Sequence, residues 1–162
     1  MERIEKIAKI RESMLKNQYP LEFNQYHCNK ENCYAYMLGA DFEDSDQGID
    51  YIYNLGCMSH VIYLPKNIPE AEETFYKDMD ALGVDCRKCE LDDQVSPGEW
   101  KVVLFFEGSF KDAYDFHFVR EDKGGGWSHK AGIHGGVWRF GCDPRYITDL
   151  DFVGCYILKI IK

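Results

Sequence analysis

The sequence predicts a single α+β domain in which N-terminal helices pack on an antiparallel β-sheet. Helical patterns gather in the first half of the chain and extended patterns in the second half, an order typical of α+β folds. The 162 residues are enough for one hydrophobic core, and 45% of them are hydrophobic. No repeat or interdomain linker interrupts this order, so residues 1–162 are expected to form one domain.

Three segments carry helix signals. Residues 1–18, within an N-terminal segment of residues 1–20, place apolar side chains at helical spacing among charges and predict an amphipathic helix. The apolar run at residues 33–38 is followed by Gly39, a residue typical of helix C-termini. Residues 68–82 predict a third helix, because proline and glutamates lie in the first turn and a glycine follows the end.

Extended patterns predict the strands of the sheet. β-branched and aromatic residues dominate the run from Glu99 to Phe106, which follows a Pro-Gly turn. Glycines at residues 124–126 predict a turn between two further strands. The expected strands are residues 57–64, 99–106, 115–120, 126–130 and 152–161.

Charge and cysteine content limit the partners and the compartment. A net charge of −9 repels phosphate backbones and anionic lipid, so we expect neither nucleic acid nor a membrane as a partner. No apolar run has the length of a signal peptide or of a spanning segment. Seven cysteines form an odd set, which favours a reducing compartment. We therefore expect a cytoplasmic protein, with export by a route that needs no cleaved signal left open.

Cys33 is the first candidate for chemistry. It begins the short helix predicted at residues 33–38, where free backbone N–H groups and the helix dipole stabilise a thiolate. The same N–H groups can hold the oxyanion that forms when sulfur attacks an acyl carbon. Gln25 and Asn32, shortly before Cys33, are the side chains predicted to add an oxyanion donor. The alternative is that Cys33 is an ordinary buried cysteine.

Two histidines are the candidate partners of that thiol. His117 lies in the middle of a predicted strand, and His129 follows twelve residues later, after the glycine turn. The turn is expected to fold the second strand back, so that His129 lies beside His117 and fixes its tautomer. The free nitrogen of His117 then takes the thiol proton. Asp115 is the second choice for the orienting residue, and Trp127 is the candidate wall of the cleft.

Four segments together resemble the NlpC/P60-like branch of the papain-like cysteine peptidase superfamily. They are residues 32–36, 96–106, 115–118 and 127–130, and the resemblance covers residues 24–160. It implies a papain-like catalytic core in which Cys33 is the nucleophile, His117 the base and His129 the orienting residue.

The resulting hypothesis is a cysteine peptidase, amidase or deamidase that acts on an amide-containing substrate through a thioester at Cys33. Acyl transfer to an amine is the same chemistry with another second nucleophile. The alternative function is a non-catalytic module that binds a peptide or protein on the same fold. The oligomeric state stays open.

One further motif has residue types that can bind a metal. Cys86 and Cys89 form a CxxC, and Cys57 or His60 has the right chemistry to complete a zinc site with them. No second cysteine pair follows at zinc-finger spacing, so loop cysteines are the favoured interpretation. We expect no metal and no cofactor.

Overall fold

The computed structural model describes residues 2–24, 31–41, 52–61, 63–108, 114–131 and 135–162. These ranges contain three α-helices, six strands in one antiparallel sheet and a short 3-10 turn, which confirms the α+β class. The helices are α1 (Arg3–Leu15), α2 (Cys33–Leu38) and α3 (Ile68–Leu82). The strands are β1 (Val84–Cys89), β2 (Glu99–Gly108), β3 (Tyr114–Glu121), β4 (Trp127–Lys130), β5 (Val137–Phe140) and β6 (Asp151–Ile160).

Side-chain caps set the bounds of α2 and α3. The side chain of Asn32 accepts a hydrogen bond from the backbone N–H of Ala35, and Asn67 caps α3 in the same way. Both helices end at glycines, Gly39 and Gly83, with φ of 70° and 72°. Only glycine adopts this left-handed conformation without strain, so the two glycines end the helices where the sequence predicts.

The sheet separates two hydrophobic clusters. Its strand order is β1-β6-β2-β3-β4-β5. On one face, alternate β2 residues such as Leu104 pack with the three helices in the main core. On the other face, Phe105 belongs to a smaller cluster with Val119, Trp127 and Cys155. We call these the helix face and the outer face.

The strand predicted at residues 57–64 is wrong for the residues that the structure describes. Residues 52–61 form turns around the buried carboxylate of Asp78 in α3. Asp78 accepts hydrogen bonds from the backbone N–H groups of Gly56 and Ser59, at 2.8 and 3.1 Å. These N–H groups therefore donate their hydrogen bonds to a helix side chain and not to a neighbouring strand.

Two strands were missed by the sequence patterns. β1 carries Cys86 and Cys89, which were interpreted as loop cysteines, and its alternation is obscured by three charged residues in six. β5 is only four residues long and forms one edge of the sheet. Its Trp138 lies on that edge, and 62% of its surface is exposed.

Candidate functional site

Cys33 lies at the first position of α2, with its side chain in the main core. The next residue, Tyr34, packs its ring on that of Phe118 in β3, with the ring centres 5.1 Å apart. This contact brings the start of α2 against the middle of β3. The backbone N–H groups of Phe118, Cys33 and Tyr34 all point towards the Cys33 sulfur.

Burial dominates the electrostatics of this thiol. Desolvation raises the pKa of Cys33 to about 12, although the three backbone N–H groups lower it. The carboxylate of Asp115 raises it further. In the structure the group is therefore a neutral thiol at neutral pH, and not the thiolate that the helix dipole alone would favour.

His117 and His129 are in direct contact, as the sequence predicts. Nε2 of His117 lies 2.7 Å from Nδ1 of His129, and the two rings are nearly perpendicular. The ring of Phe140 packs on the other side of His129, with centres 5.6 Å apart. The pair therefore has a fixed geometry on the outer face of the sheet.

Both imidazoles are held neutral. Burial, followed by the charge of His129, lowers the pKa of His117 to about 4. Burial also lowers the pKa of His129 below its ordinary value. At neutral pH one ring donates the hydrogen bond and the other accepts it, so each tautomer is fixed by the other ring.

Cys33 and His117, the predicted nucleophile and base, are not joined by a hydrogen bond in the part of the chain that the structure describes. Successive side chains of a strand point to opposite faces, and His117 lies on the outer face with Phe105, which it pairs with across β2 and β3. Cys33 lies in the core of the helix face with Phe118. No hydrogen bond joins the thiol to either imidazole within the described ranges, although the sulfur contacts the amide that follows His117.

The sheet is open at the point where these groups approach each other. β3 and β4 pair only at Arg120 with Ser128 and at Glu121 with Trp127. On the N-terminal side of Arg120, no residue in the described ranges pairs with the edge of β3 that faces β4, and the N–H of Phe118 on that stretch points towards the sulfur. The thiol and the imidazole pair are therefore separated by one unpaired stretch of backbone.

The remaining predicted site residues have other contacts. Both ends of the Asn32 side-chain amide are hydrogen-bonded. Its oxygen caps α2, and its nitrogen donates to the carbonyl of Tyr53 at 2.7 Å. Asp115 accepts a hydrogen bond from the backbone N–H of its neighbour Phe116, and the side chain that contacts the His117 ring nitrogen is that of His129. Gln25 lies outside the described residues. Trp127 packs in the outer cluster, with the Lys101 ammonium 5.6 Å from its ring centre.

A buried polar network that holds α2 was missed by the sequence analysis. Arg120 donates to the carbonyl of Tyr36 at 2.8 Å, and its guanidinium lies 3.9 Å from the centre of the Tyr36 ring. The Tyr36 hydroxyl lies 2.6 Å from that of Ser128 in β4. Arg120 also pairs with the buried carboxylate of Asp122 at 3.0 Å. The available signal was the Arg-x-Asp spacing of Arg120 and Asp122 at the end of β3.

The CxxC cysteines do not meet. Cys86 packs against the main core, whereas Cys89 joins the outer cluster, because residues three apart on a strand lie on opposite faces. Across the ranges that are described, no group of three or more His, Cys, Asp or Glu side chains is placed to hold a metal ion. None of the helices in those ranges has the length and apolar character needed to cross a membrane.

Comparisons with protein-family models, curated proteins and solved structures gave no match for this chain. Its function has to be inferred from its own residues.

Proposed function

We propose that this chain is a cysteine hydrolase of the papain-like type that cleaves an amide bond through a thioester on Cys33. One observation carries the proposal: the 2.7 Å contact between Nε2 of His117 and Nδ1 of His129, on the strand whose Phe118 N–H faces the sulfur of Cys33. A histidine oriented by a second polar side chain is the base that thiol catalysis needs.

The tautomer that we assign has His117 donating from Nε2 to His129. Nδ1 of His117 then carries the lone pair, and it is the ring nitrogen nearer to the strand backbone. The sulfur of Cys33 lies against the Phe118 amide, the next peptide along that backbone. A local opening of the unpaired stretch of β3, with rotation of the His117 ring, is required to join the two groups.

The chemical steps follow from these roles. His117 takes the thiol proton as sulfur attacks the amide carbon, and the N–H groups of Cys33 and Tyr34 stabilise the oxyanion. The protonated His117 gives its proton to the leaving amine, which leaves a thioester on Cys33. Water, deprotonated by His117, then hydrolyses the thioester and restores the free thiol.

A small ester tests this proposal without knowledge of the natural substrate. We expect p-nitrophenyl acetate to acetylate Cys33, with the acyl group located by mass spectrometry of peptides. Cys33→Ala and His117→Gln should abolish this acetylation and the turnover that follows it. Because the pKa of His117 is about 4, the acidic limb of the rate profile should lie near that pH and not near 6.5.

Cys142→Ala and Cys89→Ala serve as matched controls, because each removes a thiol away from the proposed site and should leave acetylation of Cys33 unchanged. Near-ultraviolet circular dichroism of each variant shows whether the fold is kept. Acetylation of Cys33 at the same rate in wild type and His117→Gln would contradict the assigned base.

One observation favours the second candidate, a non-catalytic module that binds a peptide or protein. Cys33 is a neutral, buried thiol with a pKa of about 12 and no hydrogen bond to His117. The same ester experiment separates the two functions. A binding module acquires acetyl groups only at exposed thiols such as Cys142, with rates that His117→Gln does not change.

A further inference from the structure

A pair of thiols also lies on the outer face, on strands towards the other edge of the sheet from the histidines. Cys89 and Cys155 are directly opposite each other in the antiparallel pairing of β1 with β6. Their sulfurs are 3.3 Å apart, and both are free thiols. Cys155 is two strands from β3 and three from β4, about 14 Å from the latter at ordinary strand spacing. This pair is therefore separate from His129.

The two thiols differ in access to solvent. Cys89 is half-buried and lines a surface cavity of about 550 Å³, together with Leu91 and Phe152. Cys155 lines the same cavity, but only 2% of its surface is exposed. An incoming reagent therefore reaches Cys89 first. Cys155 is then close enough to attack a mixed disulfide formed on Cys89.

The surroundings favour a thiolate on the accessible member. The hydrogen bond between the two thiols lowers the pKa of Cys89, partial burial raises it, and the Lys101 ammonium lowers it again. The same bond with Cys89, followed by burial, raises the pKa of Cys155. The first proton of the pair therefore leaves Cys89, and Cys155 keeps the second.

The backbone spacing suits a covalent bond between the two sulfurs. Directly opposite residues of an antiparallel pair have Cα atoms about 4.5–5.5 Å apart, within the range of disulfides. Forming the bond requires the sulfurs to approach by roughly 1.3 Å, to a bond length of about 2.0 Å. Small side-chain rotations provide this without a change in the pairing of β1 with β6.

We propose that Cys89 and Cys155 form a thiol–disulfide exchange site that reacts with small disulfides of the glutathione type. The Cys89 thiolate attacks one sulfur of the disulfide, breaks its S–S bond and releases one small thiolate. Cys155 then loses its proton and attacks the Cys89 sulfur, which releases the second small thiol and closes the Cys89–Cys155 bond. Two protein thiols are oxidised and one small disulfide is reduced.

Peptide mapping of the wild-type protein tests this directly. The reduced protein is treated with oxidised glutathione, quenched with acid, alkylated and digested with trypsin. We expect a linked product between the peptides Cys89–Lys101 and Tyr146–Lys159, with the loss of two alkylatable thiols. Reduction should separate the two peptides again.

Single variants test the order of the two steps. Cys155→Ser should stop at a glutathione adduct on Cys89, whereas Cys89→Ser should leave Cys155 unmodified because it is buried. Cys142→Ser removes an exposed thiol and should leave the linked product unchanged. A persistent glutathione adduct on Cys89 of the wild type, or modification of Cys142 alone, would overturn the proposal. These outcomes are independent of Cys33 and of the hydrolase proposal.

Discussion

The neutral histidine pair makes folding stability depend on pH in a defined direction. The ordinary pKa of histidine is 6.5, and burial lowers the pKa of His117 to about 4. Between these values the unfolded chain binds a proton that the folded chain does not. The contribution of His117 to the free energy of unfolding is therefore fully present above about pH 6.5 and is lost as the pH falls towards 4.

The size of the effect follows from the shift. A difference of 2.5 between 6.5 and about 4 corresponds to roughly 3 kcal/mol when the transition is complete. From about pH 7.5 to about pH 4.5, roughly 2.5 kcal/mol of this is lost. His117 is less than about a third exposed, so most of this energy should survive solvent screening.

Urea unfolding of the wild type and of His117→Gln measures this contribution. Carboxylates also titrate in this range, so the informative quantity is the difference between the two proteins at each pH. We expect the free energy of unfolding of the wild type to fall more steeply than that of His117→Gln, by about 2 kcal/mol over the range. Parallel curves within about 0.5 kcal/mol would refute a buried, neutral His117.

Three further substitutions test the contacts that fix the fold. Asp78→Ala leaves the N–H groups of Gly56 and Ser59 without their acceptor and should cost about 3 kcal/mol in urea unfolding; a loss below about 1 kcal/mol would contradict these bonds. Arg120→Met strands the buried Asp122 carboxylate, so it should cost about 3–5 kcal/mol, and adding Asp122→Asn should restore part of this; no recovery would contradict the pair. Asn32→Ala removes the cap of α2 and should lower the melting temperature, with a loss of at least about 1 kcal/mol.

The elements with strong local signals could be predicted from sequence. Helices α2 and α3 are each set by an asparagine cap and a following glycine, which act within a few residues. Strand β2 is buried along eight of its ten residues and has the matching apolar run. The segment at residues 57–61 was predicted wrongly because its partner, Asp78, lies about twenty residues away, and no local pattern reveals a buried carboxylate.

The candidate site was predicted only in part, for a similar reason. The contact of His117 with His129 depends on a short turn between adjacent strands. The glycines at residues 124–126 indicate this turn in the sequence. The relation of Cys33 to His117 depends on which face of the sheet α2 covers. That face is determined by the packing of Tyr34 on Phe118. This is a tertiary contact, and the apolar pattern of the sequence does not show which aromatic residues meet. The pairing of Cys89 with Cys155 likewise requires the register of β1 on β6.

The charges of Cys33 and His117 decide how a hydrolase at this site must work. An imidazolium brought to about 4 Å from a thiolate gains about 4 kcal/mol at an effective dielectric constant near 20, or roughly three pKa units for each group. Starting from about 12 and about 4, the thiol would still hold its proton more tightly than the imidazole. A preformed ion pair is therefore not the resting state even after the groups meet. The proton has to leave sulfur as the sulfur attacks, so the rate should follow the protonation of His117 and not the ionisation of Cys33.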